Sequence, residues 1–143
     1  MTKSLKNKIG QALVEFLLTF PLFIFIIIGI VDFANILHCQ ATLNTQCVNA
    51  AQKAAQIFKS KDYDINDIYV SFWKLKSDFM DKKNYNTEKE RNLPIIIDDE
   101  QNKIIKVCST YDVTIMTPFI SSIIGEKKRK GKIKLTASAI AIK

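Results

Sequence analysis

A single carboxylate stands out because it begins an apolar stretch in which a negative charge is costly. Glu15 lies directly before Phe16, and the next charged residue along the chain is Asp32. An acid at the end of a hydrophobic helix is expensive to desolvate and is a functional candidate by default. Such a group requires a positive partner when its surroundings have a low dielectric constant. The chemistry that Glu15 offers is therefore charge pairing.

Residue types that carry catalysis or hold cofactors are sparse. The chain has one His, three Cys and four Gly. One His and three scattered Cys do not make a multi-site metal cluster, and the four glycines form no phosphate-binding motif. His38 has no nucleophile at an interpretable spacing. The sequence therefore predicts no catalytic residue, no metal site and no cofactor, and the protein is not expected to be an enzyme.

The residues that position Glu15 have the composition of a membrane helix. Between Glu15 and Asp32, thirteen of sixteen residues are Leu, Ile, Phe or Val. As a helix these sixteen residues span about 24 Å, and extension on both sides covers a hydrocarbon core of about 30 Å. A buried core helix would need some polar face, and this stretch has none. We predict one membrane span over about residues 13–36.

Charges on either side of the span predict its orientation. Three lysines precede it, namely Lys3, Lys6 and Lys8. The first Lys or Arg after it is Lys53. The positive-inside rule places the amino terminus in the cytoplasm and the rest of the chain on the other side. We expect a single-pass protein of the inner (cytoplasmic) membrane with a basic leader.

The segment from Gly10 to Phe16, with the sequence GQALVEF, resembles a type IV prepilin signal. In that signal a peptidase cuts on the cytoplasmic side after a glycine, and a glutamate is the fifth residue of the mature chain. Here Gln11 would be the first residue and Glu15 the fifth. The longer pattern, with a Pro-containing apolar run, GIVDFANIL and an Ala-rich helix, resembles the TadE-like minor pseudopilins of tight-adherence (Flp-type) pilus systems. The closing segments TPFISSIIG and KIKLTASAIAIK are similar to that family as well.

The resemblance implies a processing site at Gly10 and Gln11, and roles of Glu15 and Phe16 in processing and subunit assembly. The partners it implies are a prepilin peptidase, other pilins or pseudopilins, an inner-membrane assembly platform and the lipid bilayer. Its implied function is the assembly of a tight-adherence pilus or a related secretion filament, and through it cell adhesion. Cleavage would create an ammonium group on Gln11 with which Glu15 of the same or a neighbouring chain can pair.

The pattern of apolar residues predicts an α+β fold with a pilin-like layout. The amino-terminal helix continues outside the membrane to residue 58 and packs, with a second helix over 64–81 capped by Asp64, on a small antiparallel sheet. Strands are predicted at 94–97, from 103 onward and near the carboxyl end. The predicted connections are a loop at 82–92, turns at 98–102, a helical turn at 118–125 and a loop at 126–131. The predicted organisation is a leader, a membrane helix and an extracytoplasmic domain, over 1–10, 11–58 and 59–143.

Alternation along the last two strands predicts which side chains face the helices. One set is Ile105, Val107, Tyr111, Val113 and Ile115, and the other is Ile133, Leu135, Ala137 and Ala139. A disulfide between Cys47 and Cys108 is compatible with this topology. Cys108 has the opposite parity to Val107, however, and is expected to point away from the helix. Buried or half-buried thiols are the simpler interpretation.

A basic cluster near the carboxyl end leaves two interpretations open. It contains Lys127, Lys128, Arg129 and Lys130. A solvated loop is the simpler one, and an anion-binding patch is the other. No aromatic residues are interleaved, so nucleic acid is not expected as a partner. The alternatives to a role in pilus assembly are a DNA- or surface-binding pseudopilin that uses 127–134 and an uncleaved single-pass membrane anchor.

Overall fold

The computed structural model describes residues 2–58, 64–85, 94–99, 101–117 and 131–142, with side chains from Gly10 onward. In chain order the helices are α1 (Thr2–Ile57) and α2 (Ile65–Lys74), followed by a 3-10 turn (Lys82–Asn84). The strands are β1 (Ile95–Asp99), β2 (Ile104–Thr114) and β3 (Lys132–Ile142). The α+β fold, with a long apolar amino-terminal helix, a second helix and a three-stranded antiparallel sheet, is confirmed.

The helix α1 consists of an apolar half, up to residue 31, and a packed half, from residue 32 onward. At about 1.5 Å per residue its length is about 84 Å. The half that precedes Asp32 exposes its Leu, Ile and Phe side chains. The half that follows packs on the sheet through a stripe of mostly small buried residues, Cys39, Leu43, Cys47, Ala50, Ala51 and Ala54. Small side chains let the helix backbone approach the sheet, and the Gln40 side-chain amide donates to the Thr136 carbonyl of β3 at 3.2 Å.

The sheet has the order β1-β2-β3, with both pairs antiparallel. Burial alternates along β2 and β3, as the sequence predicts, because successive side chains of a strand point to opposite faces. The odd-numbered residues from Ile105 to Val113 and from Leu135 to Ala139 form the buried face. The prediction that Asp98 begins a turn was wrong. The antiparallel register pairs Asp98 with Ile105 and Asp99 with Ile104, so β1 continues to Asp99.

The helix α2 begins as predicted and ends early. The Asp64 carboxylate accepts a hydrogen bond from the Asn66 N–H at 2.9 Å, as an N-cap does. The helix stops at Lys74 rather than at residue 81. The chain then turns, with the Met80 N–H donating to the Ser77 carbonyl at 3.0 Å, and this turn places Met80 in the core. Phe79, which the helical spacing placed on the buried face, is 82% exposed.

The segment predicted as a loop at 82–92 contains a core residue. Tyr85 is buried, forms an isolated bridge to Tyr111 and contacts the rings of Phe72 and Trp73. Its hydroxyl donates to the Gln46 side-chain carbonyl at 2.9 Å, which satisfies the polar end of a buried ring. Burial raises the pKa of Tyr85 to about 12. Residues 86–92 lie outside the described part of the chain, as do the predicted helical turn at 118–125 and most of the loop at 126–131.

Candidate functional site

Gly10, Gln11 and Glu15 lie within about one and a half turns at the start of the apolar half of α1. All three are exposed. The Gln11 side-chain amide donates to Glu15 Oε1 at 3.2 Å, because residues four apart lie on the same face of a helix. A Cβ atom built on Gly10 would meet nothing within 4 Å. The backbone at Gly10 is therefore accessible to another molecule. The Glu15 carboxylate lies beside Gln11, the residue after Gly10.

The apolar half of α1 is exposed on all sides. Phe16 stacks on Phe20 with 5.3 Å between ring centroids, and the large apolar residues from Leu17 to Val31 remain open. A helix that is apolar all round belongs in a protein core or in a membrane. Within the described residues, this is the one helix long and apolar enough to cross a membrane, and none of its apolar window is buried in the fold. It fits a single-pass membrane anchor.

Asp32 is a buried carboxylate that the sequence analysis used only to mark the end of the apolar run. It is 3% exposed. Its Oδ1 accepts from the Met116 N–H at 3.0 Å, and its Oδ2 accepts from the Thr117 N–H at 2.7 Å and from the Thr117 hydroxyl. Three donors compensate the loss of water around the charge. Asp32 thereby ties the chain beyond β2 to α1 at the boundary between its two halves.

The family model of TadE-like proteins matches residues 10–56. This stretch is a TadE-like segment. No curated protein and no solved structure matches the chain. The TadE-like segment begins at Gly10 and includes Glu15, the apolar half of α1 and Asp32. The family is a structural, pilus-associated one, and the match shows similarity to it over residues 10–56, about a third of the chain.

The cysteines lie in and beyond the TadE-like segment as three free thiols. Cys39 and Cys47 are buried on α1, and Cys108 is half-buried on the face of β2 that points away from α1. Burial raises the pKa of Cys39, and it raises that of Cys47 to about 12, with a further contribution from Cys108. The Cys47 thiol donates to the Ala137 carbonyl at 3.7 Å. The Cys47–Cys108 disulfide stays an untested prediction.

We expect a maleimide to label Cys108 well before Cys39 and Cys47 in the folded chain. The thiolate is the reactive form, and burial keeps the Cys47 thiol protonated and out of reach, whereas the half-buried Cys108 is accessible to the reagent. Mass analysis of the labelled peptides measures this order, with unfolded chain as the control in which all three react. Equal rates for Cys47 and Cys108 would contradict the buried position of Cys47. A Cys47–Cys108 disulfide would block both until reduction.

The structure describes basic residues that follow the basic cluster but not the cluster itself. Lys127, Lys128, Arg129 and Lys130 lie outside the described residues. Two neighbours on β3 are described. The Lys132 Nζ donates to the Asn84 side-chain carbonyl at 3.3 Å, and the exposed Lys134 lies opposite Asp112 in the register. Across the described ranges, no group of three or more His, Cys, Asp or Glu residues could hold a metal ion.

Proposed function

We propose that this protein is the precursor of a minor pseudopilin that a prepilin peptidase cuts after Gly10. The observation that carries the proposal is that the TadE-like match begins at Gly10. This residue is exposed and lies at the start of the apolar half of α1. The mature chain would serve the assembly of a tight-adherence pilus or a related secretion filament. It would act as a structural subunit, without a reaction or a cofactor of its own.

The proposed orientation places Gly10 on the cytoplasmic side of the inner membrane. Lys3, Lys6 and Lys8 precede the span, and positively charged flanks are retained in the cytoplasm. The sheet and α2 then form the extracytoplasmic domain. Before assembly, the apolar half of α1 would be solvated by lipid. In the filament its neighbours would be the corresponding helices of other pilins, which offer an equally apolar environment.

Cleavage after Gly10 would change the electrostatics of Glu15. The new α-ammonium on Gln11 would form one helical turn before a carboxylate that already accepts from the Gln11 side chain. At the edge of a membrane or filament, pairing of these charges offsets the desolvation of Glu15, and loss of one partner leaves an uncompensated charge. We propose that Glu15 pairs with the Gln11 ammonium of its own or a neighbouring subunit during assembly.

Replacement of Glu15 by Gln is expected to preserve cleavage and to reduce incorporation into filaments. Gln keeps the size and the hydrogen-bonding ends of the side chain and removes only the charge. Breaking a buried pair costs about 3 kcal/mol, which corresponds to about a hundredfold loss of incorporation. The measurement is the ratio of sheared, filament-bound subunit to membrane-bound subunit in cells that carry the full assembly system.

The matched control is Asp67→Asn, which removes one negative charge from an exposed position on α2. This variant should leave the amounts of filament-bound and membrane-bound subunit unchanged. Normal incorporation of Glu15→Gln subunits would contradict the pairing role. Absence of filament-bound subunit in the wild type, with the leader retained, would favour the uncleaved anchor instead.

A further inference from the structure

The two most exposed large apolar side chains of the described residues both lie beside the end of the membrane span. Phe79 is 82% exposed and Met116 is 78% exposed. The Phe79 ring meets the His38 ring edge-on, with 5.9 Å between centroids, and the neighbouring Ser77 hydroxyl lies 3.0 Å from His38 Nε2. The Met116 N–H donates to Asp32. The Phe79 ring and the Met116 backbone are therefore attached to α1 at known positions along the helix.

The heights of these attachment points coincide with a membrane boundary. With Glu15 at the inner edge of a hydrocarbon core of about 30 Å, a rise of about 1.5 Å per residue brings α1 to the outer edge about twenty residues later, near Asn35. Asp32 and His38 lie three residues on either side of that level. Met116 and Phe79, which attach to them, are thus within about 5 Å of the outer boundary.

The surroundings of these side chains suit a bilayer interface. Exposed Phe33 and Leu37 continue the apolar surface of α1 between the two attachment points. The segment around Phe79, residues 74–83, carries four Lys and two Asp, so it is basic overall, although Asp78 and Asp81 are the charged residues closest to Phe79. Surfaces that lie in a bilayer interface combine exposed Phe, Leu or Trp with Lys and Arg, which are attracted to anionic lipids. Because Phe79 and Met116 lie at the level where the exposed apolar residues of α1 end, lipid that surrounds α1 can also meet them.

We propose that the underside of the extracytoplasmic domain docks on the outer leaflet of the membrane, with Phe79 and Met116 inserted at the headgroup level. The inference rests on the proposed crossing of the membrane by α1. The hydrogen bonds of Asp32 hold Met116 at this level, and the contact of Phe79 with His38 holds the loop after α2 there. Docking fixes the tilt of the domain before assembly. Removal of the subunit into a filament must then break this contact.

The test uses the full-length chain in vesicles of phosphatidylethanolamine and phosphatidylglycerol, with an environment-sensitive NBD probe on one added, exposed cysteine. Cys108→Ser removes the half-buried thiol, while Cys39 and Cys47 are buried. The probe is placed by Phe79→Cys or by Met116→Cys. Ile140→Cys is the matched control, because Ile140 is an exposed apolar residue on the outer face of β3. Ile24→Cys reports on the membrane span itself.

Lipids that carry a doxyl quencher near the headgroup should remove most of the emission at positions 79 and 116, and iodide in the water should have little effect there. At position 140, iodide should remove most of the emission and the doxyl lipids should have little effect. Quenching at 24 by deep doxyl lipids, combined with iodide quenching at 79 and 116, would overturn the docking and leave the span intact. Shielding of 79 and 116 from both quenchers would assign the surface to a protein partner and also overturn it. Loss of lipid quenching at 24 would refute the span, and the docking with it.

Discussion

Replacement of Gly10 by Trp is expected to leave the protein folded and membrane-bound and to stop removal of the first ten residues. Space is available on the helix for the new side chain, because a Cβ atom at Gly10 meets nothing within 4 Å. A peptidase must bring its reacting groups against the Gly10 carbonyl, and an indole there displaces the peptide bond. A misplacement of about 1 Å can cost about 10²-fold in rate, so the uncleaved form should dominate.

The readout is the intact mass of the chain recovered from membranes that contain the peptidase. Ala41→Trp is the matched control, because it places the same side chain on an exposed small residue of α1 far from the cleavage site. That variant should be cleaved normally. Normal cleavage of Gly10→Trp would contradict the assignment of Gly10, whereas a failure of both variants to reach the membrane would indicate general damage to α1.

Replacement of Asp32 by Ala is expected to destabilise the fold strongly. It removes the acceptor of the half-buried Met116 N–H and of the buried Thr117 N–H and Thr117 hydroxyl. Hydrogen bonds to a charged group contribute about 1.5–3 kcal/mol each, and water can replace only part of them, so we expect a loss of at least about 3 kcal/mol in the free energy of unfolding. Denaturant unfolding of the full-length chain in detergent micelles measures it.

Two further variants separate the charge from general effects. Asp32→Asn keeps one carbonyl acceptor and should lose about 1–2 kcal/mol, because its NH2 group cannot accept from Thr117. Asp78→Asn alters an exposed acid in the turn after α2 and should be neutral. Amide exchange at Met116 and Thr117 should accelerate in Asp32→Ala before the amides of β2 are affected. Unchanged exchange at these two amides would contradict the anchoring role of Asp32.

Local patterns predict most of the elements because the apolar spacing is strong where one face is buried. The alternation along β2 and β3 follows from the period of a strand, and α1 follows from its apolar run and its alanines. The end of α2 does not follow from local spacing. Leu75 and Phe79 continue the helical period, yet the chain turns at Ser77, whose hydroxyl meets His38 from another helix. A contact between residues 39 apart in sequence overrides the local pattern.

In the candidate site, too, some residues could be predicted from the sequence and others could not. Gly10 and Glu15 are visible in the sequence because their signal is local, a fixed spacing at the start of an apolar run. The role of Asp32 cannot be recognised in the sequence, because its hydrogen-bond donors are 84 and 85 residues away. From the sequence alone, Asp32 is an acid at the end of an apolar run. Tyr85 lies in a polar stretch, and its burial depends on Gln46 of α1. Polar residues whose partners are distant in sequence are therefore the ones that sequence analysis missed.

The proposed cleavage after Gly10 is tested most directly by the amino-terminal residue of the protein recovered from cell membranes that contain the processing peptidase. The intact mass and the terminal peptide identify this residue. We expect a chain that begins at Gln11. A chain that retains Met1 or Thr2 would contradict it and would leave a membrane-anchored domain that is never processed.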